Sequence, residues 1–157
     1  MEKDAVSAMG IISEKLIFLD EDFSDQTTVL QFITENAKQQ KYISQQAPFF
    51  QAVMEREQEI PTAIGYSIAI PHGKNDVVEN PFIAFVRTKE PFQWTPQTDE
   101  QVQLIFLIGV PTESGEKIHL KFISQLSKKL LDEDFRSHLL LEKDPDKIFH
   151  QLKTIQI

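Results

Sequence analysis

From Val102 to Val110 the chain reads VQLIFLIGV, apolar at almost every position. A helix or strand with one face in water alternates, so an unbroken apolar run of this length reads as a strand covered on both faces. Such a strand needs a layer of structure above it and another below. The flanking sequence supplies them. Before it, Val29, Leu30, Ile33 and Ala37 recur at helical spacing through about Gln40, behind a Ser24 or Asp25 cap whose oxygen accepts free amide protons. A second helix is expected from about Gln45 to Glu57, burying Phe49, Phe50, Val53 and Met54, with Pro48 confined to its first turn. After the apolar run, Ile118, Phe122, Ile123, Leu126 and Leu130 return to helical spacing. Asp132 then caps a short helix carrying Phe135, Leu139 and Leu140. Asp144-Pro145 opens a last one carrying Ile148, Phe149 and Leu152.

Further strands are expected at Leu16–Leu19, at Tyr66–Ile70 ending on Pro71, and at Phe82–Val86, with a short edge strand or turn at Glu90–Trp94. Helices, then mostly strands, then helices predict an α/β fold: a single-domain layered sandwich with a mixed central β-sheet flanked by helices on both faces. The 157 residues suit one domain able to bury roughly 70% of its unfolded surface. No repeat or linker divides them. The core is expected from about residue 14 to 152, with residues 1–13 as a flexible N-terminal segment.

The net charge of −8 argues against nucleic acid or an anionic membrane as partner, since either would repel it. There is no cysteine, hence no disulfide and no thiolate metal site. The opening MEKDAVSAMGIISEKL lacks the apolar run of a signal peptide, and no 18-residue apolar stretch is present for insertion into a membrane. A cytoplasmic protein is expected.

Three residues stand out as carriers of chemistry. His72, in Ile68-Ala-Ile-Pro-His-Gly73, is expected just past a strand end, in a turn that Pro71 stiffens and Gly73 lets bend. Strand ends are where α/β proteins present reacting groups, yet a turn histidine can equally be polar surface. His119 opens a helix, where free amide protons favour an anion, or is merely half-buried there. Arg56, within Met54-Glu-Arg-Glu57, could belong to a solvated face. Sharper motifs fail. Gly65-Tyr-Ser-Ile-Ala69 is no nucleophile elbow, because β-prone residues continue to a proline and place Ser67 in a strand. No phosphate-cradling glycine loop occurs, and His72, His119, His138 and His150 lack zinc-ligand spacing, so no metal is expected. His138 and His150 read as helix surface. Asp20-Glu-Asp22 and Asp132-Glu-Asp134 read as solvated caps and turns.

Taken in order, Arg56-Glu57, Thr62, Gly65, Ile68-Ala-Ile-Pro-His-Gly73, Pro91-Phe-x-Trp94, Val102-x-Leu-Ile-Phe-Leu107 and His119-Leu120 running on to Leu126 resemble the IIA domains of the bacterial sugar phosphotransferase system, fructose–mannitol class. The resemblance covers about Glu14 to Leu152. It implies a phosphocarrier in sugar uptake. His72 would accept a phosphoryl group from phospho-HPr, on Nε2, and pass it to a IIB component that serves the IIC membrane permease. His119 would donate a hydrogen bond to the phosphoryl oxygens, Arg56 would neutralise their charge, and Thr62 would add a hydroxyl donor. No cofactor is implied, since a neutral imidazole is nucleophilic near neutral pH and needs neither metal nor triad. The same resemblance admits a regulatory phosphoacceptor of the nitrogen-related IIA type. Two departures are visible: Gly65-Tyr66-Ser67 stands where relatives often carry a glycine pair, expected to narrow the approach to His72, and Ile60-Pro61 stiffens the loop before Thr62. Without a IIB or IIC segment, the chain is expected to act as a separate subunit or to be part of a longer protein.

Overall fold

In the computed structural model, which describes residues 12–113 and 116–155 and all their side chains except those of residues 116–119, strands and helices follow the expected order. The strand β1 (Ile12–Glu21) leads to helices α1 (Gln26–Gln39) and α2 (Gln46–Glu59). Short strands β2 (Ala63–Gly65), β3 (Ile68–Ala69) and β4 (His72–Lys74) precede the long β5 (Phe82–Gln93) and β6 (Gln101–Val110). Helices α3 (Glu116–Lys129), α4 (Glu133–Leu141) and α5 (Pro145–Lys153) close the chain.

The caps act as their residue types require. Asp25 accepts from the Thr28 amide at 2.8 Å, Asp132 from that of Asp134 at 2.9 Å, and Asp144 from that of Asp146 at 2.9 Å. Pro48 is the third residue of α2, where no intrahelical amide bond is lost.

The sheet is mixed and six-stranded. Its order is β1-β5-β6-β3-β2, with β4 also on β6; β1 runs parallel to β5, β5 antiparallel to β6, and β3 and β4 parallel to β6. The apolar run of β6 is covered on both sides, as its composition demanded. Leu104, Phe106, Ile108 and Val110 pack with Phe122, Leu126, Leu139, Ile148 and Leu152 of α3–α5. Ile105 and Leu107 pack with Leu30, Ile33, Phe49 and Val53 of α1 and α2. This is the layered α/β domain read from the sequence.

Several local expectations are corrected. The first strand extends well beyond Leu16–Leu19, because as an edge strand it can carry Glu14 and Lys15 toward solvent while Ile12, Leu16 and Ile17 turn inward. Ile12 and Ile155, at 4% and 0% exposure, also place the core slightly outside residues 14–152; of the N-terminal segment, residues 1–11 lie outside the described chain. Glu90–Trp94 is no separate edge strand. Through Gln93 it continues β5 after a register shift between Arg87 and Phe92, and the shift accommodates Pro91. Tyr66–Ile70 is not one strand either. Tyr66 and Ser67, at φ +56° and +64°, form a two-residue hairpin turn between β2 and β3, so Ser67 lies in a turn. Both central residues are left-handed, the pairing whose backbone twist matches that of the flanking strands. The Tyr66 ring meets the Arg136 guanidinium at 4.5 Å, anchoring that turn to α4.

Candidate active site

Pro71 explains where His72 stands. Having no amide proton, it interrupts the ladder beside β6 and separates β3 from β4. Its carbonyl still accepts from the Ile108 amide at 3.0 Å, and pairing resumes with His72 opposite Ile108. His72 is therefore the first residue of a strand, not part of the turn its sequence suggested. Gly73 likewise serves close packing and not a bend: a Cβ there would come within 2.8 Å of Val53 Cγ2 and 3.0 Å of Phe49 Cε1. The absent side chain lets α2 sit directly on β4.

The His72 imidazole is half-buried, with Nδ1 3.1 Å from the Ile70 carbonyl oxygen. A carbonyl only accepts, so Nδ1 carries the proton, and the neutral ring holds its lone pair on Nε2. Burial pushes the His72 pKa below its ordinary 6.5, and the Arg56 charge adds to this; the bond to Ile70 and the Glu57 carboxylate pull the other way. The result is an imidazole that is neutral and nucleophilic at physiological pH, with its tautomer set by the backbone.

Around it lies an open cleft of ≈ 470 Å³. Ala52, Glu55, Arg56 and Glu59 of α2 form one wall, Lys74 and Val110 lie at the strand ends, and Leu120 comes from α3. Arg56 sits in the last turn of α2, where its Nη1 donates to the Ile60 carbonyl at 2.8 Å. This caps the helix end and keeps its positive charge at the cleft. Arg56 and His72, far apart in sequence, are thus brought together. Lys74 adds a second cation, and Glu55 and Glu59 line the same cleft. His119 is the fourth residue of α3, one position before Leu120, but its side chain lies outside those described.

Thr62 is placed differently from its expected role. Only 7% exposed, it gives its hydroxyl to Glu57 Oε2 and its amide to Glu57 Oε1 at 3.1 Å, and it does not line the cleft. Tyr66 also lies off the cleft lining, so the Gly65-Tyr66-Ser67 departure does not narrow the approach to His72.

Two charged residues escaped the sequence reading. Glu57, taken as part of a solvated cluster, is 2% exposed and accepts from Trp94 Nε1 at 2.9 Å as well as from Thr62. Its position in register with Phe49 and Val53, on the inward face of α2, was the available signal. Asp20, read as a solvated turn, is the counter-ion of the buried Arg87. Charge in an otherwise apolar strand is the mark of Arg87, though nothing in sequence names its partner.

Likeness to known proteins identifies the family and the fold. The family model described as phosphoenolpyruvate-dependent sugar phosphotransferase system, EIIA 2, matches residues 10–155. The fructose-specific EIIA component of Haloferax volcanii is 34% identical over 137 residues, spanning 87% of this chain and 88% of that protein. A fructose-like EIIA component of Escherichia coli is 30% identical over 140 residues, 89% of this chain and 93% of that one. The chain also aligns with 16% of the length of the Escherichia coli multiphosphoryl transfer protein 1. Among solved structures, the nitrogen regulatory protein IIA-Ntr of Neisseria meningitidis superposes with a TM-score of 0.81 at 26% identity, covering 92% of this chain and 97% of that one. The Escherichia coli mannitol enzyme IIA complexed with phosphorylated enzyme IIB gives 0.76 at 23% identity, covering 90% and 98%, and so shares the fold.

Proposed function

This chain belongs to the EIIA 2 family of the phosphoenolpyruvate-dependent sugar phosphotransferase system, and from that premise we propose that His72 is the residue through which it carries phosphate. The protein is a phosphotransferase of that system. In the reaction assigned to it, Nε2 of His72 forms a bond to phosphorus as the bond to the donor breaks, and that electron pair leaves with the donor. The proton stays on Nδ1 throughout, hydrogen-bonded to the Ile70 carbonyl. Transfer of this kind asks a protein for in-line positioning and for charge on the equatorial oxygens to be met, which Arg56 and Lys74 at the cleft supply. His119, opening α3, is the further donor in this reading, and Thr62 acts behind the site, where its carbonyl accepts from the Ile70 amide. The observation that carries the proposal is the Nδ1–Ile70 bond, which leaves Nε2 as the nucleophilic nitrogen at the cleft.

In this reading the chain works in the cytoplasm, with phospho-HPr as donor and a IIB component as acceptor, and serves a IIC membrane permease indirectly. The relatives named as EIIABC component, and the IIA fold found in complex with phosphorylated IIB, support the acceptor. Among the described residues no helix is long and apolar enough to cross a membrane. A second reading, a phosphoacceptor that regulates partners by its phosphorylation state, is favoured by the match to the nitrogen regulatory IIA. Onward transfer to a purified IIB separates the two.

The test is direct. Incubated with phospho-HPr, the chain should gain one phosphoryl group that is acid-labile and alkali-stable, as a phosphoramidate is. His72→Ala should abolish the gain and keep the fold. Stoichiometric phosphorylation of that variant would overturn the assignment.

A further inference from the structure

Glu57 is a carboxylate within a wall of apolar packing. Removing a charge from water is costly, and Leu or Met would fill the same space without that cost. Its four hydrogen bonds show what it organises. Oε1 accepts from the Thr62 amide at 3.1 Å, from Trp94 Nε1 at 2.9 Å and from Gln26 Nε2 at 3.4 Å, while Oε2 accepts from the Thr62 hydroxyl. Thr62 is thus gripped at two points. Its carbonyl in turn accepts from the Ile70 amide at 3.0 Å, and the Ile70 carbonyl accepts from His72 Nδ1 at 3.1 Å. A continuous series of hydrogen-bonded residues runs from Glu57 through Thr62 and Ile70 to the imidazole.

Resting on the reading that His72 reacts, we propose that Glu57 is a positioning residue: it holds Thr62, and through it the Ile70 carbonyl that fixes the tautomer and aim of His72. Pro71 makes this support necessary. Because it removes one ladder bond beside β6, the Ile70–Pro71 segment is secured on its other side by the Thr62 rung, and Glu57 secures Thr62. The side-chain grip is also short-range and nearly rigid, since one carboxylate bridges the end of α2 to a loop only five residues on. A nucleophile whose supporting carbonyl drifts loses its preferred tautomer and its in-line approach together.

The experiment is nitrogen-15 NMR of the His72 ring in the wild type, Glu57→Ala and Thr62→Val, paired with single-turnover phosphorylation by phospho-HPr. The wild type should show the Nδ1–H tautomer. In Glu57→Ala the ring nitrogens should move toward a tautomer mixture, and the maximal rate should fall by roughly 10- to 100-fold, the scale of a displaced reacting group, with the half-saturating HPr concentration little changed. Thr62→Val keeps the amide bond and loses only the hydroxyl one, so it should move the same signals less and remain folded if Glu57→Ala does not. An unchanged His72 tautomer and an unchanged rate in whichever of these variants fold would overturn the proposal. The ring signals report on His72 whether or not it is phosphorylated, so failure of the His72 assignment, seen with His72→Ala, is distinguishable from failure of the role given to Glu57.

Discussion

Two buried charges hold this molecule together in opposite ways. Arg87, in the middle of β5 and 1% exposed, is met by an opposite charge: its Nε and Nη2 donate to Asp20 at 2.9 and 3.2 Å, and its Nη1 to the Leu139 carbonyl at 2.9 Å. Glu57 is held by the neutral dipoles of an indole, a hydroxyl, an amide and a carboxamide. The first arrangement ties β1, β5 and α4 together and cancels most of the field of the guanidinium. The second orients a carboxylate without cancelling its charge, and that charge still reaches His72, where it opposes the fall in pKa caused by burial. Pairing suits a charge that only has to hold the fold. Neutral donors suit one that must also act on its neighbour.

This contrast can be broken most forcefully at Asp20. Asp20→Asn keeps a residue type that tolerates the φ of +58° there, while leaving the buried guanidinium without its counter-charge. We expect a loss of about 3 kcal/mol by denaturant unfolding, at the low end for breaking a buried pair because Asp20 itself is half in water. Phosphoryl acceptance per folded molecule should be unaltered; a matching fall in rate would erase the distinction between the two clusters.

Trp94→Phe probes the other cluster by removing one neutral donor from Glu57 and retaining most of the ring. A loss of about 2 kcal/mol is expected, the worth of a hydrogen bond to a charged group. A variant as stable as the wild type would mean that the indole contributes packing alone.

The smallest effects are in pH dependence, and their signs are set by opposite causes. The hydrogen bond from Arg87 holds the Asp20 carboxyl below its ordinary 3.8. Its stabilisation is therefore full above that value and is lost as pH falls through the depressed one, so the gap between wild type and Asp20→Asn should close in acid. The His72 pKa lies below 6.5 chiefly because burial disfavours the cation. Folding thus favours the neutral ring above 6.5, and this preference is lost as pH falls through the lower value. An NMR titration of His72 should give a midpoint under 6.5, and one above it would contradict the burial argument.

How far the sequence could be read differs between these regions. The helices and their caps were visible because Asp25, Asp132 and Asp144 act on amides within three residues of themselves. The central strand was visible because both its faces are apolar. His72 and Arg56 were candidates by placement and took their expected roles from the resemblance, and the cleft they share follows from α2 lying on β4. The strand status of His72 was missed since Pro71 looks like a terminator, whereas pairing with β6 resumes on its far side. Tyr66 and Ser67 were misread because β propensity describes fit to a pleated surface and says nothing of a hairpin that forces both into left-handed conformation.

By itself, then, the sequence determined the layers and the helix starts, since each depends on side-chain type at short spacing. Only the tertiary structure decided that Gly73 admits α2, that Asp20 answers Arg87 across 67 residues, and that Thr62 is held by Glu57 and does not line the cleft. Those outcomes depend on which groups lose their water together. A buried donor or charge must find a partner among whatever surrounds it, and no local pattern records which distant segment will be there.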